Sequence, residues 1–258
     1  MRRGMPGNTA RIARLCNCAL ALGLCLMLAA APFVAASGAP DASASRWQVV
    51  LVAGDDEQPV FDNAVRSFAQ FLIASGVPDA NIHRFSANPD AVGAEPSGEV
   101  RIVRGIADLR VAPGDRCLVF ITSHGSPDKG LYLSFADEDL PPASLAKALN
   151  GNCAAVPTVA IVSSCYSGAF AAAPVASPNR IILTASRADR PSFGCQADRT
   201  YTVFDSCLLK TLPQVSDWQA AFRDTVDCVR REERAVREVP SMPQAWFGTA
   251  LKRLPLWF

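Results

Sequence analysis

The sequence predicts an α/β fold with a mainly parallel central sheet flanked by helices. Three observations predict it. Short apolar runs rich in branched residues recur along the chain as WQVVLVA, CLVFIT, TVAIV and RIILT, as strands buried on both faces require. Between them lie segments whose apolar residues repeat at helical spacing. Strand and helix alternate rather than cluster, which is the order that builds a layered α/β domain.

Each element has its own justification. Trp47–Ala53 is the first buried strand. Residues 61–74 carry apolar side chains at Phe61, Ala64, Phe68, Phe71 and Leu72, and Gly76 and Pro78 end this helix. Ile82–Ser86 reads as a second strand, and 87–98, small and polar, as a loop. Residues 100–111 are compatible with either helix or strand. Pro113, Gly114 and Asp115 make a turn before 117–122, a central strand. Alternating polarity in 130–135 predicts a small ribbon. Pro142–Leu149 reads as a helix, and 158–162 and Arg180–Thr184 as two further central strands. Two helices are predicted over 201–212 and 217–236. Residues 241–251 either return as a last strand or run along the surface.

The N-terminal 39 residues are of a different kind. Arg2, Arg3, Arg11 and Arg14 precede an apolar stretch, 15–34, that ends in the small residues 35–39. This is the pattern of a secretory signal peptide spanning 1–39. The competing reading is a retained membrane anchor, because the stretch approaches spanning length. Pro32 and the small residues after it favour cleavage. Leu24 is too bulky to precede a lipid-modified Cys25. One domain is then expected over 40–258, exported to the periplasm or secreted, with membrane contact only if the leader is retained.

Composition excludes several function classes. Half of the 258 residues are apolar and 19% are charged, enough apolar material for a sizeable core. Outside the leader 21 basic residues face 24 acidic ones. A slightly acidic body argues against a protein that tracks nucleic-acid phosphates. Six cysteines lie outside the leader, and an exported protein can pair them. No C-x-x-C pair exists, and the two histidines, His83 and His124, supply no zinc spacing. No metal or cofactor is expected.

Catalytic groups of parallel sheets sit beyond the carboxyl ends of strands. CLVFIT is followed by Ser123, His124 and Gly125; TVAIV is followed by Ser163, Ser164, Cys165, Tyr166, Ser167 and Gly168. If the two strands are neighbours, His124 and Cys165 leave the sheet at one edge. A thiol with a free pKa of about 8.5 needs a base or an electropositive setting to attack near neutral pH, and an imidazole can supply it. The amides of Gly125 and Cys165 are candidate donors to an acyl oxyanion. Gly168 is expected to permit a tight turn into a following helix. The bland alternative is that the thiol is a core residue and His-Gly a turn.

At these residues the sequence resembles the legumain-type branch of the caspase-like cysteine peptidases, in VFITSHG and VAIVSSCYSG. VLVAGDDEQPVFDNAV is similar to that family's first strand and helix, SFGCQADRTYTVFD to the segment that helps build its specificity pocket, and SMPQAWFG to the tail of bacterial members. The resemblance covers most of 47–250. It implies a caspase-like three-layer sandwich, His124 as catalytic histidine and Cys165 as nucleophile, with no need for the two to touch in the free enzyme. Legumain itself reads asparagine with an Arg and two acids. Those positions correspond here to Phe61, Ser163 and Asp205, so only one carboxylate remains. A pocket of that kind favours Lys or Arg before the scissile bond by charge pairing. The alternative for Asp205 is an exposed carboxylate at a helix start.

The expected function is an exported cysteine endopeptidase acting on peptides or proteins through a Cys-His dyad and a thioester. A transpeptidase or ligase would use the same dyad, and a non-catalytic binding protein could retain the fold. Cys117 opens one central strand and Cys153 shortly precedes the next, so a bridge between them is geometrically reasonable. Cys195, Cys207 and Cys228 can form at most one further bridge, leaving a second free thiol beside Cys165. Arg230, Arg231, Arg234 and Arg237, interleaved with Glu232, Glu233 and Glu238, predict a solvated helix face. His83 is expected to be a satisfied structural histidine.

Overall fold

Seven strands form the central sheet of the computed structural model, which describes residues 46–196, 198–251 and 253–256. The predicted leader, 1–39, lies outside the described residues. In chain order the strands of the whole domain are β1 (Trp47–Ala53), β2 (Ile82–Ser86), β3 (Glu95–Pro96), β4 (Arg116–Thr122), β5 (Gly125–Ser126), β6 (Gly130–Leu133), β7 (Glu138–Leu140), β8 (Thr158–Ser163), β9 (Arg180–Thr184) and β10 (Gln244–Phe247). The helices are α1 (Val60–Ala74), α2 (Glu99–Ala107), α3 (Pro142–Leu149), α4 (Val203–Thr211) and α5 (Trp218–Val236).

The large sheet runs β10-β9-β8-β4-β1-β2-β3. Its strands pair parallel except at β10, which lies antiparallel on β9. The middle strands are apolar throughout because both faces are covered. One face of β1 and β4 packs Leu51, Leu118 and Phe120 against Phe68 of α1, Phe204 of α4 and Trp218 of α5. The other face packs Val50, Val119 and Ile121 against Ile102 and Ile106 of α2 and Leu145 of α3. The result is three layers. A small separate sheet, β5-β6-β7, extends the ribbon expected at 130–135.

Several open or incorrect expectations are resolved by packing. Residues 100–111 are helical over α2, because Ile102 and Ile106 lie one turn apart and both enter the core. The loop 87–98 contains β3, a two-residue pairing with the end of β2. The tail returns as β10. His83, expected to be a satisfied structural histidine, is exposed near the start of β2, where it lines an open groove with Arg101 and Arg104 of α2. The charged face of α5 is solvated except at Glu233, which is 2% exposed and accepts a hydrogen bond from the Ser241 amide at 3.0 Å.

Cys117 is joined to Cys153, at the amino-terminal end of β4, and Cys207 to Cys228, linking α4 to α5. Cys165 and Cys195 remain as free thiols.

Arg180 closes another seam. It is 2% exposed at the start of β9. Its Nη1 donates to the Val175 carbonyl at 2.9 Å, and its Nη2 donates to the Leu149 carbonyl at 2.9 Å and to Asn150 Oδ1 at 2.7 Å. The Leu149 carbonyl is one of those a helix end leaves without an intrahelical partner. Burial pushes the guanidinium pKa down from its ordinary value. Arg180→Met is expected to destabilise the domain by about 2–4 kcal/mol, more than its lost area implies, because it strands buried acceptors. Urea unfolding of the variant beside wild type checks this.

Candidate active site

The pairing of β4 with β8 places the two loops of interest together. The strands are parallel neighbours, and their last partners are Thr122 and Ser163. The Ser123 amide still donates to the Ser163 carbonyl at 3.1 Å, so the chains separate only after that point. His124 and Cys165 therefore leave the same edge of the sheet.

His124 is partly exposed. Its ring stands edge-on to Phe61, with centroids 5.2 Å apart. Its Nε2 lies 4.0 Å from Oδ1 of Asp55, whose side chain is 3% exposed just beyond β1. Asp55 also accepts a hydrogen bond from the Glu57 amide at 2.9 Å. A cavity of about 460 Å³ opens beside the imidazole, lined by Asp55, Glu57, Gly125, Lys129 and Tyr132 among others. Asp55, Glu57 and His124 bring three ligating atoms within 4.8 Å of one another, a set that could hold a cation.

Cys165 is half-buried. Its Sγ accepts from the Ser192 amide at 3.3 Å and from the Ser192 hydroxyl at 3.8 Å, and donates to the Ser192 carbonyl at 3.5 Å. Cys165, His124, Phe61 and Ser163 line one small pocket together with Ser192 and Phe193. Phe61 and Ser163 are both 1% exposed, so each offers only its inner surface to that pocket.

The two glycines act through close approach. A Cβ on Gly125 would lie 2.5 Å from the Cys165 carbonyl oxygen and 2.8 Å from Ser164 Oγ, so only glycine lets the loops touch. Gly168 does not make the turn expected of it. The left-handed residue is Tyr166, with φ 59°, and a short 3₁₀ turn follows over Ser167–Ala171. Gly168 is needed because a side chain there would strike the backbone of Arg187 and Ala188.

Asp205 lies deeper. It is 0% exposed in the first turn of α4, so it is not an exposed helix-start carboxylate. Neighbouring Val203, Phe204, Cys207 and Leu208 are core residues and draw this turn inward. Thr122 Oγ1 donates to Asp205 Oδ2 at 2.7 Å, while Oδ1 is buried without a hydrogen-bond partner among the described residues. Burial pushes the carboxyl up to about 6, opposed by the hydroxyls of Ser163, Thr122 and Thr202. Two of those residues, Ser163 and Thr202, line the Cys165 pocket. Asp205 thus lies behind the pocket wall.

Three residues at the site carry weak sequence signals. Asp55 follows a strand, as the edge rule would allow, but stands in an acidic run. Ser192 and Cys195 lie in a stretch with no periodicity. A far larger groove, about 740 Å³, lies around Arg46, Gln48 and Asp115 at the strand starts and contains neither His124 nor Cys165.

Comparisons with known proteins bear on the family and the fold. The profile of a family described as the Peptidase C13 family matches residues 97–232. The crystal structure of caspase-1 from Spodoptera frugiperda superposes with a TM-score of 0.56 at 12% identity, covering 79% of this chain and 87% of that one. At that identity the likeness concerns the fold, which is caspase-like. No curated protein sequence matches the chain.

The position of Asp205 has a consequence for stability. A free aspartate ionises near 3.9. Asp205 in the folded protein holds its proton up to about 6, so between these values the native state binds more protons than the unfolded chain. Stability then falls as pH rises through that window, by about 3 kcal/mol in all. Asp205→Asn removes this slope. Its melting temperature should exceed that of wild type at neutral pH, with the gap closing near pH 4 on the same linkage argument. Thermal melts across pH check it.

Proposed function

Because the chain belongs to the peptidase C13 family, we propose that it is an exported cysteine endopeptidase acting through Cys165 and His124. The observation that carries this reading is their placement: a thiol and an imidazole on adjacent loops of two parallel neighbours, lining one pocket. Cys165 Sγ attacks the scissile carbonyl and forms a thioester. His124 takes up the thiol proton and delivers one to the leaving amine, and water then releases the acyl group. Asp55 places a carboxylate oxygen 4.0 Å from Nε2 of that imidazole. The Ser192 amide and hydroxyl donate to the sulfur and hold it in place. The amides of Gly125 and Cys165 hold the oxyanion, each such donor being worth about 3 kcal/mol.

The side chain before the scissile bond enters between Phe61 and Ser163, towards Asp205. The pocket holds only about 10 Å³ in the free protein, so substrate has to widen it. The unpartnered Oδ1 of Asp205 then supplies the acceptor, and with no arginine matching the legumain pattern the preference is for Lys or Arg. Export rests on the leader at 1–39. No described helix is long and apolar enough to cross a membrane.

A fluorogenic peptide library varied at this position, run with the reduced domain, tests the reading. Cys165→Ala should abolish cleavage, and His124→Ala should lower kcat/KM by about 10²–10⁴-fold. Asp205→Asn should reduce turnover of Lys and Arg peptides by about tenfold or more. Cleavage only after Asn or Asp would overturn the basic preference. Ligated rather than hydrolysed product in the presence of an added amine would reassign the chain as a transpeptidase. No reaction from folded, reduced protein would favour a binding role.

A further inference from the structure

The cysteines leave one pair unaccounted for. Four of the six outside the leader are bridged, at Cys117–Cys153 and Cys207–Cys228. The other two, Cys165 and Cys195, are both half-buried and line the same pocket. Its volume of about 10 Å³ is roughly one water molecule's worth, so the side chains around it stand close together. Ser192, whose amide is 3.3 Å from Cys165 Sγ, precedes Cys195 by three residues. That segment has no helix or strand to hold it, and Gly194, with φ 98°, lies immediately before Cys195. A left-handed glycine lets the chain bend where other residues would not. Neither disulfide partner competes for Cys195, since Cys207 and Cys228 are already joined.

We propose that Cys165 and Cys195 are a redox pair that closes reversibly into a disulfide, capping the Cys165 sulfur. The oxidant is a small-molecule disulfide. The Cys165 thiolate attacks one of its sulfurs, forming a mixed disulfide and releasing one thiolate. Cys195 then gives up its proton, attacks the Cys165 sulfur and releases the second thiolate. Two protein thiols are oxidised, one small disulfide is reduced to two thiols, and both protons pass to the released thiolates. Burial and the neighbouring charge of Cys165 push the Cys195 thiol up, which suits it to the second, intramolecular step rather than the first. The reading of Cys165 as the nucleophile supplies only the consequence, that the closed form cannot cleave.

The experiment treats the domain with oxidised glutathione and maps its peptides without reduction, using a protease that cuts between Cys153 and Cys165. The expected product is a Cys165–Cys195 cross-linked peptide, removed by dithiothreitol. Peptidase activity should fall by at least about tenfold on closure and return on reduction. In Cys195→Ser, Cys165 should instead persist as the glutathione mixed disulfide. A wild-type protein that keeps glutathione on Cys165 while Cys195 remains open to alkylation would overturn the proposal. A cross-link that forms and reverses, with no cleavage by either form, would support the pair and overturn the peptidase reading instead.

Discussion

The parallel pairing of β4 with β8 is the constraint on which the rest of the structure depends. Both strands are covered on two faces, so a slip of register would drive every side chain into core space shaped for another. The register ends at Thr122 and Ser163 and continues for one further hydrogen bond, to Ser123. His124 and Cys165 are then delivered to one edge. Gly125 completes the arrangement, since any side chain there would force the second loop away from the first.

Around this seam the domain buries polar groups that a core would ordinarily exclude. Arg180 gives its two terminal nitrogens, and Glu233 one oxygen, to partners that tie separate elements together, while Arg180 Nε has no hydrogen-bond partner among the described residues. In Asp205 one oxygen accepts from Thr122 and the other has no hydrogen-bond partner among the described residues, and burial pushes the carboxyl pKa up. Buried carboxyls with perturbed pKa values cluster at functional sites more than elsewhere. Asp205 stands directly behind Ser163 and Thr202, which face the Cys165 pocket.

The thiols divide along the same geometry. The Cys117–Cys153 bridge lies at the amino-terminal end of the sheet, away from the β4 and β8 loops, and Cys207–Cys228 ties α4 to α5. The free thiols sit at the opposite, carboxyl-terminal edge. The Cys117–Cys153 bridge is thus separated from the free thiols by the length of β4.

Much of this was determined by the sequence alone. The four central strands are apolar runs flanked by turn residues, a local signal that needs no partner to be read, and the edge rule for parallel sheets then singles out His124 and Cys165. The disulfide at Cys117 follows from two strand starts. What the tertiary structure decided depends on contacts between residues far apart in the chain. Helix or strand at 100–111 was settled by the core beneath Ile102 and Ile106. The choice of Cys207 and Cys228 over Cys195 was settled by the packing of α4 on α5. The burial of Asp205 was settled by the packing of the first turn of α4 into the core, and the convergence of Asp55, Ser192 and Cys195 on the site came from loop segments. Local pattern determines which stretches become strands and helices, because it reflects each residue's own burial. Which side chains then meet at an edge, and which charge is denied water, is decided only when the layers close.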